Sequence, residues 1–301
     1  MTHLTKRQRR ELAESSLRGL SVGDAFGERF FGDPARVDGQ IRDRVLPPGP
    51  WPVTDDTVMA MSIVDVLCQC ATIDCDRLAR YFGTRYRLDP ARGYGATAHG
   101  ILTRLAAGDP WRDVSRSVFG GLGSMGNGGA MRAAPIGAYF AGDFGRAAEE
   151  ADRSAAVTHA HPEGRAGAIA VAIAAAWVAT GNIEVDSLFE ITLKYTPSGE
   201  TRDGIERARE LPPNCDVHRA VSALGNGSRV SAQDTVPFAL WCATRKLDSY
   251  GEALWLTVSG LGNRDTTCAI VGGILASNLA CVIPTAWLEA REPLTSLPRV
   301  D

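Results

Sequence analysis

The sequence has little that would carry it to a membrane or to a nucleic acid. Its longest apolar run, Ala166 to Thr180, is Ala-rich and falls short of the roughly 20 residues a bilayer-spanning helix needs. It reads as a buried central helix. There is no block of like charge. With 32 Lys+Arg against 35 Asp+Glu the net charge is -3, so charge gives no indication of direct nucleic-acid binding or of capture by a membrane surface. The small cluster Lys6, Arg7, Arg9 and Arg10 reads as a solvated first helix turn. The seven cysteines are odd in number and none is paired at zinc-site spacing, which points to a reduced, cytoplasmic setting. The N-terminus is charged and lacks an apolar secretion segment. No period-2 strand, internal repeat or linker stands out. What remains is helices joined by Gly/Pro loops across the full length, which predicts one all-α domain over residues 1–301. With 45% hydrophobic residues the chain can bury a substantial core.

Within that frame one stretch stands out: Trp51-Pro52-Val53-Thr54-Asp55-Asp56-Thr57, followed at once by a helical pattern through Met59, Ile63, Val66, Leu67 and Cys70. Two readings are open. Thr54 or Asp55 caps the helix and Asp56 complements its dipole. Alternatively, the oxygens are metal ligands. A second stretch, Gly262-Asn263-Arg264-Asp265-Thr266-Thr267, again sets Asp beside Thr at a helix start. Two such starts facing each other would make a cage of hard oxygens suited to Mg²⁺, Mn²⁺ or Ca²⁺.

Other features frame these two. A capping box at Thr5–Gln8 opens a first helix with Leu12, Leu17 and Leu20 inward. Gly19, Gly23 and Gly27 recur every four residues along it, which allows another backbone to approach closely. Asp24 and Glu28 share a face of the same helix. Residues 32–53 are dense in Gly and Pro and read as a long loop. Gly120 to Gly129 reads as the most flexible stretch, feeding a helix at Ala130-Met131-Arg132. Backbone N–H groups there would suit a diphosphate, or the stretch is a plain flexible loop. Thr158-His159-Ala160-His161 lacks a third ligand for zinc. His159 is either a polar site residue or a capping or core histidine. Pro237 is expected in the first turn of a helix opened by Asp234. The last core helix should run Asp265 to Ile283, and the tail after Pro284 reads as peripheral.

Taken together these motifs resemble the ADP-ribosylglycohydrolase family. The resemblance covers roughly residues 15–282 and rests on five matches in the family's order. They are Gly23-Asp24-Ala25-Phe26-Gly27, Thr54-Asp55-Asp56-Thr57, Gly126-Asn127-Gly128-Gly129-Ala130-Met131-Arg132, Thr158-His159, and Asp265-Thr266 before a small-residue helix. It implies a compact multi-helix orthogonal bundle with one or two Mg²⁺ ions (Mn²⁺ possible) in a cleft. The implied activity is cleavage of the bond between ADP-ribose and an acceptor on a protein, nucleic acid or small molecule. By position, Thr54, Asp55 and Asp56 resemble the first set of metal ligands and Asp265 and Thr266 the second. Gly123, Ser124, Met125, Gly126, Asn127 and Gly128 resemble the loop that holds diphosphate and ribose, and His159 a ligand-contacting histidine. Asp55, Asp56 and Glu28 are the candidate catalytic carboxylates. Two departures stand out. Asn263 replaces a carboxylate of the family's second metal stretch, beside Arg264. Phe31 stands where the family often has Glu, leaving Glu28 as the nearby acid. These departures keep a second reading in view: an ADP-ribose-binding module with an impaired metal site.

Overall fold

The computed structural model describes residues 4–297. Sixteen α-helices follow one another: α1 (Lys6–Glu28), α2 (Pro34–Arg42), α3 (Asp55–Cys70), α4 (Cys75–Leu88), α5 (Ala96–Ala106), α6 (Trp111–Ser117), α7 (Ala134–Tyr139) and α8 (Phe144–Ala156) in the first half. The second half holds α9 (Pro162–Val178), α10 (Val185–Tyr195), α11 (Glu200–Glu210), α12 (Val217–Leu224), α13 (Ala232–Arg245), α14 (Tyr250–Ser259), α15 (Arg264–Leu275) and α16 (Thr285–Ala290). Among the described residues there is no β-strand, only isolated bridges at Trp51–Arg291 and Gly126–Ser231. No described helix is long and apolar enough to cross a membrane. The expected all-α class is what the chain adopts.

The alanine-rich run forms α9, buried along nearly its whole length and capped at its start by the His161 side chain. α7, α8, α10, α13 and α15 pack around it. The heaviest contact in the molecule is between α1 and α15, and the glycine spacing causes it. A Cβ on Gly19 would lie 2.4 Å from Gly272 O, one on Gly23 2.1 Å from Cys268 O, and one on Gly27 2.2 Å from Arg264 O. Only hydrogen fits at these positions, so the two backbones touch over about two turns of helix.

Several elements differ from the sequence expectation. The 32–53 loop contains α2, started by Asp33, whose carboxylate caps Arg36 N at 2.9 Å with Pro34 at the first helical position. That pairing is itself a helix-start signal, hidden there by the surrounding Gly and Pro. α13 starts at Ala232, so Pro237 lies inside the helix, where its ring packs against Gly204 of α11. α15 stops at Leu275 and does not reach Ile283. The tail after Pro284 is not peripheral. Trp287 is buried and stacks on Phe26 with ring centroids 4.4 Å apart. Beyond it, Trp51 N donates to Ala290 O at 2.6 Å and Glu292 N to Trp51 O at 2.9 Å, tying the tail to the strap that leads into α3.

Candidate active site

The tight α1–α15 contact brings the start of α15 beside the start of α3. The capping reading of Thr54-Asp55-Asp56-Thr57 is what the structure shows. Thr54 is the N-cap of α3, its hydroxyl accepting from Asp56 N at 3.3 Å. The stronger fastening comes from α1. The carboxylate of Asp24, fully buried, accepts from Thr54 N (2.9 Å), Thr54 Oγ1 (2.8 Å), Thr57 N (3.2 Å) and Thr57 Oγ1 (2.5 Å). Four donors on one carboxylate satisfy the free N–H groups of the α3 start and fix its direction. From the other side, Asp55 N donates to Arg92 O at 2.7 Å. Val53 N donates to Glu292 Oε1 at 2.7 Å, and Arg92 pairs with the same carboxylate. Nothing in the sequence pattern points to Glu292, and Asp24 stands out there as a neighbour of Glu28 and as part of the Gly23–Gly27 motif, with no role as the fastening of α3.

So held, Asp55 and Asp56 face Asp265 and Thr266 across the junction. Thr266 Oγ1 lies 3.3 Å from Asp56 Oδ2, and so does Thr54 Oγ1. Asp56 Oδ1 is buried with no hydrogen-bond partner. A buried carboxylate oxygen left unpaired is costly, unless something positive meets it. Burial, then the charges of Asp265 and Asp24, push the Asp55 carboxyl up to about 8. Burial raises Asp56 and Asp265 as well. For Asp24, burial outweighs the hydrogen bonds from Thr57 and Thr54 and brings it to about 7. Glu28, one turn along α1, is raised by burial and by Asp265. Acids that repel one another in a dry site are what a bound cation relieves.

The remaining predicted residues form the adjoining wall. The Gly123–Gly128 stretch is held rather than slack. Gly126 N donates to Ser124 Oγ at 3.1 Å, Asn127 N to Val230 O at 3.2 Å, and Ala232 N to Met125 O at 2.9 Å. Its glycines serve close approach. Cβ atoms on Gly126 and Gly128 would lie 3.2 and 3.1 Å from His159 Nε2. It also does not feed a helix directly. A 3-10 turn at Asn127–Gly129 intervenes and α7 begins only at Ala134, so no α-helix start stands at the loop. His159 is half-buried but enclosed by protein on the loop side. Its Nδ1 lies 2.7 Å from Thr158 Oγ1. Burial and then the Arg132 charge lower it to about 3, so the ring is neutral. His161 has turned away to cap α9, and no histidine pair forms.

Arg132 is the residue that sequence reasoning passed over. It has no exposure, donates to Gly128 O (2.8 Å), Thr158 Oγ1 (2.8 Å) and Ser154 O (3.2 Å), and lies 4.7 Å from the Phe82 ring centroid. Burial lowers it to about 9, with Asp55 and Asp56 opposing. One cation thus ties the loop to the turn before His159. The available signal was an arginine inside an apolar run.

The two unusual residues also have definite places. Arg264 does not point into the cleft. It donates to Phe30 O and lies over the Phe31 ring, 4.9 Å from its centroid. Asn263 does face the cleft, with its amide between Asn127 and Asp265. Among the described residues no three His, Cys, Asp or Glu side chains stand together as a complete ligand set. A cation here would need the threonine hydroxyls as well. These are all hard oxygens, the donor set of Mg²⁺ or Mn²⁺. With the orphaned Asp56 Oδ1 they fit such an ion. A separate groove of about 610 Å³, lined by Asp203, Arg207, Asn226, Arg229 and Asp234 among others, contains none of these carboxylates.

Comparison with known proteins bears on this arrangement. The family model described as ADP-ribosylglycohydrolase matches residues 5–300. ADP-ribosylhydrolase ARH3 of Xenopus tropicalis is 30% identical over 293 residues, covering 86% of this chain and 81% of that protein. The human protein of the same name is 30% identical over 273 residues, covering 79% and 74%. Among solved structures, an ADP-ribosylglycohydrolase-related protein complex superposes with a TM-score of 0.60 at 24% identity, covering 95% of this chain and 94% of that one. That likeness speaks to the fold.

Proposed function

The chain belongs to the ADP-ribosylglycohydrolase family, and from that premise we propose that it hydrolyses the glycosidic bond between ADP-ribose and an acceptor, with Mg²⁺ or Mn²⁺ in the cleft. The observation that carries the reading is the junction of α3 and α15. There the hydroxyls of Thr54 and Thr266 both lie against Asp56 Oδ2, the charge of Asp265 raises Asp55 and Asp56, and one buried Asp56 oxygen has no hydrogen-bond partner. Those five residues would hold the ion. When bound it supplies positive charge that orients ribose hydroxyls and stabilises developing negative charge.

The protein's own groups do the rest. Loop N–H groups and side chains of Gly123, Ser124, Met125, Gly126, Asn127 and Gly128 take the diphosphate and ribose, giving binding energy remote from the reacting bond. His159, kept neutral, offers Nε2 beside Gly126 and Gly128. The C1–acceptor bond breaks through an oxocarbenium-like state. Water adds its oxygen to C1, one of its protons passes to a carboxylate, and that proton goes on to the departing acceptor, so one water is consumed and the carboxylate is restored. Asp55, Asp56 or Glu28 is the base. The whole chain acts as one domain, supported by a hydrophobic core that runs from Ala13 to Leu297. Seven unpaired cysteines are in keeping with the cytoplasm.

The test is release of free ADP-ribose from a panel of ADP-ribosylated arginine, serine and nucleic-acid substrates. Wild type should release it from one class, and Asp55→Ala should abolish release. Full activity in Asp55→Ala would sink the proposal. The substitutions at Asn263 and Phe31 favour one rival, an ADP-ribose-binding module. Tight binding of ADP-ribose with no turnover on any acceptor would select it.

A further inference from the structure

The side chain of Asn263 has an orientation that its neighbours dictate. Thr235 Oγ1 donates its one proton to Ser231 O at 2.8 Å, so toward Asn127, 3.0 Å away, it accepts. The Asn127 atom at that contact is therefore its NH₂ group. The same NH₂ reaches Asn263 at 2.8 Å, so the Asn263 atom there is its carbonyl oxygen. The other end of the amide, its NH₂, then donates to Asp265 Oδ1 at 2.6 Å. An aspartate at 263 could accept from Asn127 but could not donate to Asp265. It would set two carboxylates against each other at that point.

We propose that this cleft holds one divalent cation and not two, because the Asn263 amide meets Asp265 Oδ1 with an N–H group in place of a second ion. The inference rests on the cation reading of the site given above. Three observations carry it. The Asn263 oxygen is neutral and already accepts from Asn127, so it offers a cation one lone pair and no charge. One oxygen of Asp265 is engaged by the amide. The acidic side chains among the described residues form no complete ligand set, so the threonine hydroxyls are needed even for one ion. Hard-cation affinity follows the charge and number of the oxygens offered, and here both fall short for a second ion. The Asn127–Asn263–Asp265 relay also links the Gly-rich loop to the ion through two hydrogen bonds.

The experiment counts ions without reference to turnover. Purified, chelator-treated full-length chain is titrated with Mn²⁺, and bound metal is read from the loss of the free-ion electron paramagnetic resonance signal, with calorimetry beside it. Wild type is expected to bind one ion per chain and Asn263→Asp two, the aspartate replacing a donor by a ligand. Two ions in wild type would overturn the inference while leaving the cation reading intact. No tight binding would overturn the cation reading itself and the inference with it. One ion in a folded Asn263→Asp variant would overturn the role given to the amide. The wild-type stoichiometry decides the count even if that variant does not fold.

Discussion

Replacing Gly23 by alanine tests how the packing makes the site. The added methyl would lie 2.1 Å from Cys268 O and 2.7 Å from Cys268 C, against a helix backbone that has no rotamer to change. To bring that contact to 3.4 Å, where ordinary van der Waals contact begins, α1 and α15 must open locally by about 1.3 Å. Overpacking typically costs about 1–3 kcal/mol. With backbone on the far side the upper end is expected here, a loss in melting temperature of roughly 4–8 °C for a chain of this length. The functional effect should be larger than the stability effect. α1 carries Asp24, which fastens Thr54 and Thr57, and α15 carries Asp265 and Thr266. Opening the helices moves one half of the cation site away from the other. A displacement of about 1 Å can cost on the order of 100-fold in rate. Thermal melting and ADP-ribose release would be measured side by side. Gly100→Ala serves as the control: this exposed helical glycine has nothing within 4 Å of an added Cβ, so alanine should stabilise by about 0.4–1 kcal/mol. A Gly23→Ala protein that melts and turns over like wild type would refute the account of the α1–α15 contact.

Other outcomes follow from the same geometry. Arg132→Met removes the only charge from a fully buried position that holds Gly128 O, Ser154 O and Thr158 Oγ1. Three buried acceptors lose their donor, so stability measured by denaturant should fall by about 1–3 kcal/mol, and an unchanged midpoint would contradict the role given to it. Glu292→Ala leaves Val53 N and Arg92 without their shared carboxylate, so Mn²⁺ affinity should drop several-fold although the residue lies outside the cleft. Equal affinity would show that the tail does not position Asp55. In cation-free protein, Asp24 at about 7 and Asp55 at about 8 bind protons that the unfolded chain, at 3.8, releases. Folded-state pKa values raised in this way make stability highest at low pH and lower it as pH rises from about 4 to the folded values of about 7 and about 8, above which it levels off. Melting temperature should therefore fall over that window, and added Mg²⁺ should flatten the fall. A melting temperature that rises across it would contradict the burial of these acids.

The features legible in the sequence were local ones. Helical periodicity predicted α1, α3 and α9, and the four-residue glycine spacing predicted the close approach now seen at Gly272, Cys268 and Arg264. The two Asp/Thr helix starts were visible, and they do meet. What stayed hidden was pairing across distance. Asn127 and Asn263 are 136 positions apart, and Val53 and Glu292 are 239, and no periodicity links such residues. Asp24 read as half of an acidic face because nothing local shows that two threonines 30 and 33 residues later donate to it. Arg264 read as a group beside the metal because it adjoins Asp265. The backbone there turns it back over Phe31 instead. The Gly-rich loop looked slack from composition, whereas its glycines are needed for the space His159 occupies.

The central claim is cation-assisted release of ADP-ribose, and chelation tests it most directly. Enzyme stripped with a chelator would be assayed on the substrate class it accepts, then titrated with Mg²⁺. The account predicts that release stops on stripping and returns along the binding curve of the ion. Undiminished release in excess chelator would contradict it.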